Sequence, residues 1–200
     1  MTLPQTLRVL LAILFAQWIA PVAADTTVVI LRHGEKPALG LGQLTCKGLN
    51  RALALPALLV SRYGHPAAIY AVNPAIKKED KGIPYAYVRP LATIEPLAIR
   101  EQLPVNVDWG MTDITPLAEA ILQRMQGTQV VAWEHHWAES LARQLLARLG
   151  GDQGVVPTWD DDDYDSIYVL RIVADIRGGR SATFSRENQG LNSLAETCGN

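Results

Sequence analysis

The sequence lacks an excess of charge of either sign. It has 18 Lys and Arg against 20 Asp and Glu, which gives a formal net charge of −2 at pH 7. Such a balance shows no electrostatic footprint for nucleic acid, so we expect no nucleic-acid partner. Internal repeats and linkers are also missing, and 48% hydrophobic with 19% charged residues is ordinary for a folded core. We therefore expect one globular domain.

No apolar run is long enough to span a bilayer as a helix. The run at 9–20 has about a dozen residues, whereas a spanning helix needs roughly 20. Arg8 precedes this run and small residues follow it, which is typical of a secretory signal peptide. We expect residues 1–24 to be a signal peptide cleaved before Asp25, leaving a periplasmic or secreted protein without stable membrane insertion. A membrane anchor is the alternative.

Cysteine is scarce, since the chain has only Cys46 and Cys198. In an exported protein an isolated pair is more often a disulfide than two free thiols. Such a bridge would tie the C-terminal tail to the helix that we predict after Thr45. Two unpaired buried cysteines are the alternative.

The most informative stretch is 27–37, TVVILRHGEKP. Its apolar part is rich in β-branched residues and predicts a strand buried on both faces. The strand stops at Arg32 and His33, and ligands of open α/β sheets lie beyond the carboxyl ends of strands. We therefore expect both side chains to face a crevice, where Gly34 lets the backbone approach a ligand closely. Taken alone, His33 could equally be a hydrogen-bonded structural residue.

A second buried strand, predicted at 129–133, also ends at histidines. Glu134, His135 and His136 follow it directly. His135 is the better candidate for a site residue, because it lies at the strand end whereas His136 begins the next helix. Glu134 could donate a proton or orient a histidine.

The segment 88–98 predicts an arginine at the start of a helix. Pro90 suits the first helical turn, which places Arg89 where free amide groups and the helix dipole favour an anion. Guanidinium groups match the geometry of phosphate or carboxylate. Arg89 and Arg32 could therefore clamp one anion, while a surface arginine at a helix end is the plainer alternative.

The order of predicted elements indicates the fold class. Strands and helices alternate as β, α, β, α, short β, α, β, α, β, β, which predicts an α/β fold, a three-layer α/β/α sandwich with a mostly parallel central sheet. We expect helices from Thr45 as N-cap to about Tyr63 and at 114–126. Residues 73–87 are predicted to be a polar loop. The acidic run at 159–165 lacks the glycine and closing glutamate of a calcium loop, so we expect a solvated loop and no metal site.

Arg32-His33-Gly34-Glu35 resembles the signature of the histidine phosphatase superfamily, which contains phosphoglycerate mutases and many acid phosphatases. The segment 88–98, in which Thr93 follows the arginine by four residues and precedes a glutamate-proline pair, is similar to the second arginine motif of that superfamily. His135 resembles its second catalytic histidine. With three motifs in order, the resemblance covers most of residues 25–200.

This resemblance implies a metal-independent phosphomonoester hydrolase that needs no cofactor and acts on a small phosphorylated substrate. His33 would be the nucleophile that forms a phosphohistidine, with Arg32 and Arg89 as clamps and His135 as a further donor. Glu35 is grouped with the substrate-binding residues and is expected to orient the loop. We expect a monomer or a weak homo-oligomer.

The sequence leaves two points of function open. Glu134, Asp108, Glu101 and Asp113 are the candidates for the general acid, and none lies in a matching motif. A noncatalytic phosphate-ligand binding protein of the same fold is therefore the alternative function, and a structural envelope protein is a third.

Overall fold

A computed structural model of the chain describes residues 25–124, 126–174 and 179–199. The predicted signal peptide, residues 1–24, lies outside these residues. Within the described part of the chain, no helix has both the length and the apolar character needed to cross a membrane.

The centre of the molecule is a six-stranded sheet. A separate two-stranded hairpin follows the second strand of the chain and precedes the second helix. The eight strands are β1 (Thr26–Arg32), β2 (Pro66–Ala71), β3 (Lys77–Asp80), β4 (Ile83–Ala86), β5 (Val105–Asn106), β6 (Gly127–Trp133), β7 (Ser166–Ala174) and β8 (Arg180–Asn188). The central sheet has the order β5-β2-β6-β1-β7-β8. The first four of these pair in parallel, and β7 is antiparallel to both neighbours. The sheet is therefore mostly parallel, as predicted.

In the part of the chain that the structure describes, four α-helices cover the two faces of this sheet. They are α1 (Cys46–Tyr63), α2 (Arg89–Glu101), α3 (Ile114–Gln123) and α4 (His135–Arg148). Successive residues of β1 alternate between two cores. Val29 packs with apolar residues of α1 and α2, whereas Val28 packs with those of α3 and α4. This confirms the predicted three-layer sandwich and explains why the apolar run of β1 is continuous.

Helix α1 begins as the sequence predicts. The backbone N–H of Gly48 donates to Oγ1 of Thr45 at 3.1 Å, so Thr45 is the N-cap, and the helix ends at Tyr63. The prediction for α3 was too long, because this helix stops at Gln123 and not at residue 126. The side-chain amide of Gln129 donates to the carbonyls of Ile121 and Arg124, at 3.0 and 2.6 Å. A strand residue thus satisfies carbonyls at the end of α3, and the chain turns into β6.

The predicted polar loop at 73–87 was also wrong in part, because β3 and β4 form an antiparallel hairpin there. The charged residues at 77–81, which were expected to form a solvated face, do not all face solvent. Asp80, at the end of β3, is buried and contacts Arg89. This contact brings the hairpin to the carboxyl ends of the parallel strands.

Cys46 and Cys198 form a disulfide that joins the first residue of α1 to the C-terminal tail. The side-chain amide of Asn50 adds hydrogen bonds to the carbonyls of Ala195 and Thr197, at 2.9 and 3.0 Å. The tail is therefore fastened to α1 at several points.

Candidate active site

The candidate site lies where β1 and β6 end side by side. The two strands are parallel, with Arg32 opposite Trp133, and the backbone N–H of His33 donates to the Trp133 carbonyl at 3.0 Å. This register places His33 next to Glu134 and His135, which follow Trp133. The predicted convergence of the two strand ends is therefore present.

His33 is buried and held in one orientation. Its Nδ1 lies 2.7 Å from the carbonyl oxygen of Gly34. Because a carbonyl can only accept, Nδ1 carries the proton and Nε2 presents a lone pair. Burial lowers the pKa of His33 well below its ordinary value, and the charges of Arg89 and Arg32 act in the same direction. The ring is therefore neutral at physiological pH.

Thr93 connects the loop after β1 to α2. The backbone N–H of Gly34 donates to Thr93 Oγ1 at 2.8 Å, and this hydroxyl donates to the Arg89 carbonyl at 2.8 Å. Gly34 also approaches α1 closely, since a Cβ at this position would lie 2.9 Å from the carbonyl oxygen of Gly48. A side chain at position 34 would thus push the histidine loop away from α1.

Arg32 is buried beneath the acidic run. Its Nη1 donates to backbone carbonyls of that run, those of Asp160 at 3.3 Å and Asp163 at 3.1 Å among them. The guanidinium carbon lies 3.9 Å from the centroid of the Tyr164 ring. The expected solvated loop therefore forms part of the site, through carbonyls that no side-chain pattern reveals.

Arg89 is also buried, and Asp80 fixes its position. Nη1 and Nη2 donate to the two carboxylate oxygens of Asp80 at 2.8 and 3.3 Å, and Nη1 also donates to the Gly40 carbonyl at 3.1 Å. Burial opposes ionisation of Asp80, but hydrogen bonds from Arg89 and the Gly42 amide outweigh it and lower the pKa. Asp80 is thus an anionic partner that holds Arg89 in place.

Four buried polar atoms of the site have no hydrogen-bond partner among the described residues. One is Nδ1 of His135, and the other three are donors, namely Nε of Arg32, Nε of Arg89 and the hydroxyl of Tyr87. Buried polar groups are nearly always paired, because an unpaired one loses its bonds to water. Donors of this kind around a neutral histidine suit an oxyanion.

The cations of this region are crowded. Lys36 follows the histidine loop, and its pKa is lowered, first by burial and then by the charges of Arg89, Lys78 and Arg32. Crowding of like charges favours the binding of an anion.

Glu134 lies between the N-terminus of α4 and the ring of His135. Glu134 accepts from the backbone N–H groups of His136 and Trp137 at 3.1 and 3.3 Å, as the N-cap of the helix. Its Oε1 lies 2.9 Å from Nδ1 of His135. Burial opposes ionisation of Glu134, but its contacts with His135 and the helix amides hold the pKa at about 2. Glu134 is therefore a carboxylate in this structure.

His135 is buried and also contacts the acidic run, whereas the side chain of His136 is exposed. Nε2 of His135 lies 2.6 Å from Oδ1 of Asp161, and Nε2 of His136 lies 3.4 Å from the same oxygen. Asp161 is itself exposed. Its carboxylate thus occupies the solvent side of His135.

Glu35 points to α1. Nε and Nη2 of the buried Arg51 donate to its two carboxylate oxygens at 3.0 and 2.7 Å. Nη1 of Arg51 donates to Asp165 at 3.3 Å and to Gln189 at 2.7 Å. Glu35 therefore fastens the histidine loop to α1 and to the segment after β8.

The remaining carboxylates considered as general acids lie in different places. Glu101 ends α2 and contacts His65, which precedes β2. It therefore lies at the amino ends of the parallel strands, away from the candidate site. Asp108 is exposed after β5. Asp113 accepts from the Gly110 N–H at 2.9 Å and lines a cavity of about 260 Å³ together with Tyr87. Of these three, only Asp113 shares a cavity with a residue of the site.

Within the described ranges, one group of side chains could hold a metal ion. The donor atoms of Glu134, His135 and His136 lie within 4.8 Å of one another. A metal bound there would occupy the same histidine that faces the candidate anion site.

Sequence reasoning missed Tyr87, Asp80, Arg51 and Asp161. Tyr87 stands two residues before Arg89, the first residue of α2, and this closeness in sequence was the only available signal. The others act through contacts between distant parts of the chain.

Comparisons with known proteins agree with this architecture. The protein histidine phosphatase SixA in complex with tungstate is similar, with a TM-score of 0.52 and 16% identity over 82% of this chain and 97% of the other. A protein from Nakamurella multipartitia assigned as the phosphohistidine phosphatase SixA has a TM-score of 0.50 and 15% identity, over 83% and 97%. No protein-family model and no curated protein matches the sequence. At such identities the likeness establishes a shared fold, so the predicted resemblance to histidine phosphatases is confirmed at that level.

Proposed function

We propose that this chain is an exported, metal-independent phosphomonoesterase that acts on a small phosphorylated substrate through a phosphohistidine at His33. The observation that carries the proposal is the state of His33. Its Nδ1–H donates to the Gly34 carbonyl. Burial lowers the pKa of His33, and the charges of Arg89 and Arg32 lower it further. The Nε2 lone pair is therefore available for attack on phosphorus.

The unpartnered donors give the phosphoryl group its binding site. Nε of Arg32 and Nε of Arg89 are buried N–H groups without protein partners among the described residues. Their Nη groups are engaged by loop carbonyls and by Asp80, which fix the planes of the guanidinium groups. Positioned cations of this kind stabilise charge that develops on the transferring phosphoryl group.

The reaction proceeds in two displacements. Nε2 of His33 forms a bond to phosphorus while the bond from phosphorus to the ester oxygen breaks, and the leaving oxygen takes a proton from solvent water. A water molecule then attacks phosphorus, the N–P bond breaks, the proton of that water passes to solvent, and phosphate leaves. His135 donates to a phosphoryl oxygen in place of its contact with Asp161, while Glu134 orients His135 as a carboxylate. Glu35 keeps the histidine loop in register with α1.

The proposed export has two supports. The sequence pattern of residues 1–24 is that of a signal peptide, and the Cys46–Cys198 disulfide suits an oxidising compartment. Two phosphatases share the fold, which supports phosphatase chemistry on this scaffold.

Acid-quench trapping tests this function. The protein beginning at Asp25 is mixed with p-nitrophenyl phosphate in EDTA, and wild type is compared with His33→Ala. We expect turnover and an acid-labile phosphoryl adduct in wild type and neither in the variant. His65→Ala is the matched control, because His65 lies at the amino ends of the parallel strands, away from the site. This variant should behave as wild type.

Tungstate binding separates the alternative. Tungstate binding without turnover or adduct would favour the noncatalytic phosphate-binding protein. Loss of turnover in EDTA, restored by a divalent metal, would contradict the metal-independent mechanism.

A further inference from the structure

Tyr87 lies between the hairpin and α2, next to the ring of the proposed nucleophile. Its side chain is 1% exposed. The ring packs edge-on to His33, with centroids 5.9 Å apart and planes at 88°. The guanidinium carbon of Arg89 lies 4.8 Å from the ring centroid. Tyr87 therefore contacts both a clamp arginine and the histidine.

The hydroxyl of Tyr87 has no hydrogen-bond partner in the described part of the chain. Other buried tyrosines of the protein are satisfied: Tyr70 donates to Gln129 at 2.9 Å, and Tyr168 donates to the Pro157 carbonyl at 2.9 Å. The charge of Arg89 acts on Tyr87, yet neither the Tyr87 hydroxyl nor Nε of Arg89 has a partner in hydrogen-bond geometry among the described residues. A buried polar group left unpaired in the folded protein calls for an explanation.

We propose that the Tyr87 hydroxyl donates a hydrogen bond to a phosphoryl oxygen of the bound substrate, beside Nε of Arg89. This inference rests on the proposed function and adds a neutral donor to a site otherwise built from cations. The hydroxyl keeps its proton throughout, and no bond to phosphorus involves it. Its contribution is a preorganised donor at a buried position beside the reacting group.

The protonation state of Tyr87 agrees with this role. Burial raises the pKa of Tyr87 far above its ordinary value, and the nearby positive charges reduce that shift only in part. The group is thus a phenol and not a phenolate at any pH at which the protein would work.

Tyr87→Phe removes only the hydroxyl, and we expect it to affect stability and anion binding differently. Removal of an unpaired buried hydroxyl should leave the thermal midpoint of the free protein unchanged or raised. The same change should weaken tungstate binding about tenfold and lower kcat/KM for p-nitrophenyl phosphate by about 10²-fold, as for loss of an oxyanion donor.

Tyr70→Phe is the matched control. Its hydroxyl has a partner outside the site, so this variant should lose thermal stability and keep the tungstate affinity and turnover of wild type. Both variants keep a buried aromatic ring, and the pair separates a structural hydroxyl from one that serves a ligand.

Several results would overturn the inference. A Tyr87→Phe variant within threefold of wild type in tungstate affinity and turnover would contradict it, as would a lowered thermal midpoint with unchanged affinity. Tungstate binding is measured without turnover, so it still decides the role of Tyr87 if wild type hydrolyses nothing. In that case the proposed phosphatase function is wrong, and the tungstate affinity of Tyr87→Phe alone tests the donor role. Absence of tungstate binding by wild type would overturn both.

Discussion

Thr93 should be as important for the position of His33 as any residue that touches the substrate. Its hydroxyl is the only described link by which the Gly34 amide reaches α2: it accepts from Gly34 N–H and donates to the Arg89 carbonyl, both at 2.8 Å. Thr93→Val keeps the β-branched shape and removes both bonds. The histidine loop and the helix that positions Arg89 would then be free to separate.

The loss of stability in Thr93→Val depends on which group loses its hydrogen-bond partner. The Arg89 carbonyl keeps its place in the first turn of α2, but the buried Gly34 N–H becomes unpaired. An unpaired buried donor costs about 1–3 kcal/mol of unfolding free energy. For a chain of this size each kcal/mol lowers Tm by about 2–4 °C. Because small displacements of a reacting group can cost about 10²-fold in rate, we expect a fall in kcat/KM of at least about tenfold.

Thr26→Val provides the matched control. Thr26 is also a buried threonine, but its Oγ1 has no partner among the described residues, so valine should leave stability unchanged or raise it. Urea denaturation of both variants measures the difference, and p-nitrophenyl phosphate hydrolysis measures the effect on the site. Equal stabilities for the two variants, or full activity of Thr93→Val, would refute the argument that the Gly34 bond positions the nucleophile.

Three further predictions concern the charges and the tail. Asp161→Asn should tighten tungstate binding severalfold in calorimetry, because it removes a carboxylate that competes with the anion for His135. Asp162→Asn is the control and should leave the affinity unchanged. Equal effects of the two substitutions would contradict competition between Asp161 and the anion. Replacing Cys46 and Cys198 by serine should lower unfolding free energy by up to roughly 5 kcal/mol on the chain-entropy model, given a separation of 152 residues, and no loss in urea denaturation would contradict this. Since the pKa of His33 is lowered in the folded state, the unfolded chain takes up the proton first as pH falls below about 6.5. Stability should then fall with decreasing pH by up to about 1.4 kcal/mol per pH unit until the folded pKa is reached, and His33→Gln should remove that part of the slope.

The strand ends were predictable because their signals are local. The apolar run before Arg32 and the run before Glu134 define buried strands, and parallel strands bring their carboxyl ends to one edge. The start of α1 was predictable for the same reason, since Thr45 and its capping bond lie within one turn. Together with Pro90, which marks the helix start that carries Arg89, these signals were enough to place the four residues, both histidines and both arginines, in the fold.

Other features depend on partners in a different helix, strand or loop. The end of α3 is set by Gln129, a residue of the following strand, and the hairpin at 77–86 has few apolar residues to mark it. Asp161 and Asp80 look like surface charges in the sequence, and only the fold brings them to His135 and Arg89. Arg32 is held partly by backbone carbonyls, which any residue supplies.

The arrangement of donors explains how a preformed anion site can exist in the free protein. Each clamp arginine has acceptors on its Nη groups, and these acceptors keep the guanidinium in place without a ligand. The same geometry leaves Nε of each arginine and the Tyr87 hydroxyl unpaired, which costs stability. A bound oxyanion could accept from all of these donors, so the cost of leaving them unpaired favours binding. Removing the Tyr87 hydroxyl should therefore stabilise the free protein and weaken its binding of oxyanions. Removing an acceptor such as Asp80 should instead destabilise the free protein and loosen the position of Arg89.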